Sequence, residues 1–111
     1  MSIINQTRNT ILAVDAIMAD TALKRMKGLL GRERLEEGQA LVLSPSNSIH
    51  SFFMKFTIDA LFLDKQNKVV AAVTLAPWRL TRVYFSAVLV IELPAGTIMS
   101  SHTQIDDIIR F

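Results

Sequence analysis

His50, Lys55 and Asp59 sit inside Ser48–Asp64, SIHSFFMKFTIDALFLD, an otherwise apolar run of strand-forming residues. A polar group in such a run needs a partner or water, because burying it unpaired costs about 1–3 kcal/mol. His50 and Asp59 can form an acid–base pair, the carboxylate holding one imidazole nitrogen so that the other can work. Glu92, at the end of a second apolar strand, is a candidate base beside them. The structural alternative has His50 bonded to a backbone carbonyl and Asp59 capping a turn, with Glu92 accepting from backbone N–H groups or an arginine. It is preferred, because fold-level analogy supplies no reaction. No nucleophile has an activating neighbour, which favours a binding module over an enzyme: Ser51, next to His50 in a strand, would point to the opposite face.

A second chemistry is anion binding. Lys55 and Arg25, with Arg79 and Arg82, can together hold a carboxylate or phosphate, since the guanidinium fork suits bidentate contacts. They can equally be solvated charges, with one arginine paired to Glu92 or Asp59. Phe52, Phe53, Met54 and Phe56 have strand spacing and read as core or as a pocket wall. Trp78, in a loop after Pro77, is different, because loops carry a large share of binding residues. His102 with Asp106 and Asp107 offers oxygen and nitrogen donors, but at no spacing of a named metal motif, so no metal and no cofactor is expected.

The elements that must position these groups read as mostly β. Thr10–Met18 alternates as a strand with Leu12, Val14, Ala16 and Met18 on one face. Asp20 can cap a short helix with Leu23, Met26 and Leu30 as its apolar stripe, and Arg32–Glu37 reads as one or two further turns closed by Gly38. This places a helical insert near residues 20–37. Ala40–Leu43 is a short strand. The central run reads as extended from Ile49, bending at Thr57. Asp64-Lys-Gln-Asn67 signals a tight hairpin in which Asn67 takes the left-handed conformation. Val69–Leu75 is an inner strand and Ala76–Arg82 a loop. Tyr84–Leu93 then reads as a long strand with Phe85, Ala87, Leu89, Ile91 and Leu93 on its core face. Thr97–Ser100 and Ile108–Phe111 close the chain as short strands. About seven strands with one helical insert predict a compact antiparallel sandwich or barrel.

Length and composition agree with this. The 111 residues favour one domain, 1–111, with residues 1–9 loosely ordered, and half of the residues are hydrophobic with only 20% charged. No apolar run approaches the roughly 18–20 residues of a membrane span, and no secretory signal opens the chain, so the expected location is cytoplasmic with no membrane partner. The chain contains no cysteine, which removes disulfides, thiolate metal sites and thiol nucleophiles. A net charge of +2 gives no case for nucleic acid. The basic segment Lys24, Arg25, Lys27, Arg32 and Arg34 is diluted by Glu33, Glu36 and Glu37, and reads as a solvated face.

Four stretches carry a resemblance: Arg25-Met-Lys-Gly-Leu-Leu-Gly-Arg32, Ile49-His-Ser-Phe-Phe-Met-Lys55, Ile58-Asp-Ala-Leu-Phe-Leu-Asp64 and Leu89-Val-Ile-Glu-Leu-Pro-Ala-Gly96. In this order they resemble the widespread bacterial family filed as domain of unknown function 192, from about Ala13 to the C-terminus. The resemblance implies a compact, mostly β domain and no assigned activity. Its polar signature falls on Arg25, Gly28, Met54, Lys55, Asp59, Glu92 and Gly96. Three positions depart from it: Ser46 where Cys is frequent, Phe56 after the Met-Lys pair, and Asp106-Asp107 where Gly-Asp is usual.

The reading that joins these observations is a noncatalytic binding or accessory module for a small polar or anionic ligand or a protein partner. Its ligand-binding residues are His50, Met54, Lys55, Asp59, Trp78 and Arg79. The competing reading is a small hydrolase- or isomerase-type enzyme using His50, Asp59 and Glu92.

Overall fold

The computed structural model describes residues 1–21, 24, 28–29 and 31–111. Among these residues eight strands are present: β1 Ile3–Asn5, β2 Thr10–Ala13, β3 Asp15–Ala19, β4 Gln39–Leu43, β5 Ile58–Leu63, β6 Val69–Leu75, β7 Leu89–Pro94 and β8 Ile109–Arg110. One helical turn, α1 Thr97–Ser100, lies between β7 and β8. The strands make a five-stranded sheet, β3-β4-β7-β5-β6, and a three-stranded sheet, β2-β1-β8. The fold is therefore mainly β and sandwich-like, without a closed barrel. Strands β3 and β4 run parallel, and the other pairs are antiparallel.

Alternation along the central strands sorts side chains onto two faces. Ile58, Ala60 and Phe62 of β5 pack with Leu41, Leu43 and Val90, under a cover that includes Leu29, Leu35, Ile49 and Met54. Leu61, Leu63, Ile91 and Leu93 point the other way and pack on Ile3, Leu12 and Ile109 of the small sheet. All six residues of β5 are buried, which is why its sequence shows no apolar–polar alternation. The β5–β6 hairpin forms as its sequence predicts. Asn67 is left-handed (φ 60°), and one Asp64 side-chain oxygen accepts from the backbone N–H groups of Gln66 and Lys68.

The structure differs from the sequence reading at several elements. Thr10–Met18 is two strands, β2 and β3, in different sheets, and Val14 between them is exposed; Val69–Leu75, read as an inner strand, is the edge strand β6. Residues 1–9 contain β1, whose Ile3 and Asn5 are fully buried against the C-terminal segment. The predicted helix capped by Asp20, with its stripe Leu23, Met26 and Leu30, falls largely outside the described residues. Within Arg32–Glu37 no helix forms. The central run is not one bent strand: residues 51–57 are loop, and pairing begins only at Ile58. The long strand Tyr84–Leu93 is in fact a turn at its start, with β7 beginning at Leu89, so Phe85 leaves the core and is 90% exposed. Thr97–Ser100 is α1, because Asp59 accepts from the backbone N–H groups of Gly96 and Ile98 and so fixes the entry to a helical turn.

Candidate functional site

Two loops that lie over the same face of the sheet, with Ile49, Met54, Tyr84 and Ala87 packed on its Phe62 side, are zipped together. The first spans residues 46–54 and the second 76–88. Ser51 N–H donates to Arg79 O (2.8 Å), Thr81 N–H to Ile49 O (2.9 Å) and Tyr84 N–H to Asn47 O (2.9 Å), and His50 bridges Leu80. Ser51 is the joint. Its hydroxyl donates to Ala76 O and accepts from Arg79 N–H, its carbonyl accepts from Trp78 N–H and Met54 N–H, and it is fully buried. The sequence placed Ser51 opposite His50 on a strand and gave it no part, and only its polarity within an apolar run hinted at this role.

Each loop then makes a turn whose second corner is left-handed and aromatic. In the turn closed by Met54 N–H to Ser51 O, that corner is Phe53 (φ 66°). Pro77 sets the first corner of the other turn and Trp78 takes the second (φ 64°). Glycine usually fills such corners, and a bulky side chain there costs about 1–2 kcal/mol. The strain is not repaid by burial, since Phe53 is 69% and Trp78 55% exposed. Their rings meet at 4.6 Å and 58°; Phe52 lies 6.2 Å from Trp78 and stacks on the exposed His50 at 4.9 Å and 22°. Exposed Leu80 extends the surface.

The charged candidates divide around this surface. Arg79 is exposed and donates to Trp78 O (3.3 Å), while Arg82 lies over the Tyr84 ring at 5.4 Å. Lys55 is exposed and reaches out to Glu33 (3.0 Å). His50, Trp78 and Arg79 are therefore brought together. Met54 packs into the core. Arg25 lies outside the described residues.

Asp59 and Glu92 are both buried and lie on opposite faces of the sheet. Asp59 pairs with Leu93, whereas Glu92 pairs with Ala60 across β5 and with Leu41 across β4, on the other core face. Both Asp59 oxygens are engaged: one accepts from Thr74 Oγ1 (2.8 Å), the other from Gly96 N–H (3.0 Å) and Ile98 N–H (2.9 Å). Glu92 has one carboxyl oxygen with no hydrogen-bond partner among the described residues, and burial pushes its pKa up to about 8. His50 belongs to the loop surface. The three residues of the enzyme reading do not converge.

Two hollows lie elsewhere. One of about 550 Å³ is floored by Ile17, Ala19 and Leu41, and one of about 600 Å³ opens between Thr74, Met99, His102 and Gln104 above Asp59. Among the described residues no group of three His, Cys, Asp or Glu side chains could hold a metal ion. Asp107, a metal candidate from sequence, is instead a buried clamp. It accepts from Asn5 Nδ2 (2.9 Å), Arg8 Nε (3.0 Å) and Gln104 N–H (2.9 Å) and ties the first strand to the last turn. Burial alone would raise its pKa, but the hydrogen bonds from Arg8, Asn5 and Gln104 outweigh this and hold it below the usual carboxylate value.

The whole length of this arrangement, residues 3–111, matches the DUF192 family, described as uncharacterized ACR. The chain belongs to that family. UPF0127 proteins of Thermococcus gammatolerans and Pyrococcus horikoshii are 35% and 34% identical to it, each over 98% of this chain and over 74% and 97% of their own. These relatives are archaeal, so the family is not confined to bacteria. A crystal structure of a Novosphingobium aromaticivorans protein of unknown function superposes with a TM-score of 0.83 at 14% identity, covering 99% of this chain and 82% of that one. Another from Sinorhizobium meliloti gives 0.81 at 16%, covering 98% and 89%. Both show the fold alone. In this DUF192 chain, Asp106, one of the departures from the sequence resemblance, is left-handed (φ 76°), the conformation glycine adopts freely.

Proposed function

We propose that this DUF192 chain is a noncatalytic binding module whose contact surface is the aromatic loop pair, with His50, Trp78 and Arg79 at its centre and Lys55 at its margin. The observation that carries the reading is the pair of left-handed aromatic corners. Phe53 and Trp78 accept backbone strain and leave their rings in water, so scaffold stability does not account for them. Exposed Trp, Phe and Arg on a preorganised backbone are the residues that dominate recognition surfaces. In this reading Asp59 and Met54 support the surface from behind: Asp59 ties β5 to Thr74 near the root of the second loop, and Met54 anchors the end of the first turn in the core. A cytoplasmic location and a single-domain organisation belong to the same proposal.

The chain has one tryptophan, so its fluorescence reports this surface directly. In a thermal-shift screen of sugars, metabolites, anions and peptides, a true binder raises Tm by mass action and also changes Trp78 emission. Trp78→Ala is expected to abolish the response. Binders that raise Tm while leaving Trp78 emission unchanged would overturn the reading, as would a broad panel without any binder.

A further inference from the structure

Strand β6 closes one side of the five-stranded sheet. Its inner side pairs with β5 along the strand. On its outer side only Val69 is bonded, donating to Asp107 O and accepting from Asp106 N–H. From residue 70 to 75 no backbone hydrogen bond reaches a described segment other than β5. The sequence of this edge, VVAAVTL, has no charge and no proline. Sheets usually protect such edges with lysine, proline or a covering segment, because an open apolar edge pairs with other chains. The opposite edge is protected: β3 carries the exposed charge of Asp15, and Met1 pairs with Ala16.

The chain segment that carries the open edge has one sign of charge, the acids Asp106 and Asp107 being confined to its Val69 end. Residues 65–88 contain Lys65, Lys68, Arg79 and Arg82 and no acidic residue. The edge also runs directly into the Pro77–Trp78 turn. We infer that the outer edge of β6 accepts an extended segment of a partner protein as a sixth strand, a segment that alternates apolar with acidic residues and ends on the Trp78 surface. Main-chain pairing supplies affinity in this mode, and side-chain pockets and charges supply selectivity. A second copy of the chain would set cations against cations at this edge, and a nucleic acid has no use for an uncharged amide edge. The inference rests on the binding reading for its Trp78 end and adds the class of partner.

The test uses fluorescein-labelled octapeptides that alternate Val or Ile with Glu and carry Phe at one end or the other. The full chain is expected to raise their anisotropy saturably, with Trp78 emission changing at the same concentrations. N-methylation of one alternate set of peptide amides is expected to weaken binding about tenfold or more, while N-methylation of the other set leaves it intact. Replacing Glu by Lys, or combining Arg79→Glu with Arg82→Glu, is expected to cost a similar factor. Peptides that bind equally well with either set methylated would overturn strand addition and leave the Trp78 surface standing. So would a change in Trp78 emission produced only by oligouridylate, by anionic phospholipid vesicles or by self-association in sedimentation. If none of these probes moves Trp78 emission, the inference and the binding reading fall together.

Discussion

Several residues carry roles that their chemistry alone left open. Asp107 is acidic and next to another acid, which on the sequence suggests solvent, yet it closes a network with Asn5, Arg8 and Gln104. Asp107→Ala should cost about 3 kcal/mol in urea unfolding, because it strands buried Asn5 and leaves Arg8 unpaired. Its lowered pKa fixes the sign with pH. The stabilisation is complete above the ordinary carboxylate pKa and is lost as pH falls through the lower folded value. Glu92 behaves oppositely. With its folded pKa pushed up to about 8, the native state holds a proton that the unfolded chain releases near 4.5, so stability falls as pH rises between those values. Glu92→Gln should flatten that decline, and an equally steep decline in the variant would show that another group causes it. That Glu92 is buried was legible from its strand. The unpartnered oxygen was not, because pairing depends on which side chains neighbouring strands present.

At the scale of elements, the strands that alternate or run apolar between turn signals were readable, and the loops were not. The β5–β6 hairpin followed from Asp64 and Asn67, whose local bonding is strong enough to set the turn. By contrast, Ile49–Thr57 and Tyr84–Val88 have strand-like composition but form irregular loops: Ile49 and Ser51 bond to Thr81, Arg79 and Trp78, and Tyr84 and Val88 to Asn47 and Ser46. Phe52, Phe53 and Phe85 are β-forming residues used outside a sheet, and local propensity cannot signal such use. Phe62→Ala should destabilise by about 3–5 kcal/mol, since the side chain is fully buried. Phe85→Ser should change stability by less than about 0.5 kcal/mol, although pattern alone assigned it to the core. Equal losses for both in thermal unfolding would contradict the observed faces. The His50–Asp59–Glu92 enzyme reading dissolves at this scale too, because adjacent registers on paired strands send Asp59 and Glu92 to opposite sides.

Across the whole molecule, a sheet buried on both faces holds a pair of loops over one of them and leaves β6 open at one side. The mainly β class was readable because short apolar strands recur between turns. The two-sheet arrangement and the parallel β3–β4 pair depend on long-range pairing that periodicity does not encode. Among the described residues no helix is long and apolar enough to cross a membrane. Such a scaffold could stand without aromatic corners, and this makes their presence the central claim. The most direct test is urea unfolding of Phe53→Gly and Trp78→Gly. If the rings are held for contact, glycine relieves the left-handed strain and stability stays level or rises by up to about 1 kcal/mol. A loss of about 2 kcal/mol or more in both variants would show that the rings brace the fold, and the binding surface would have no support.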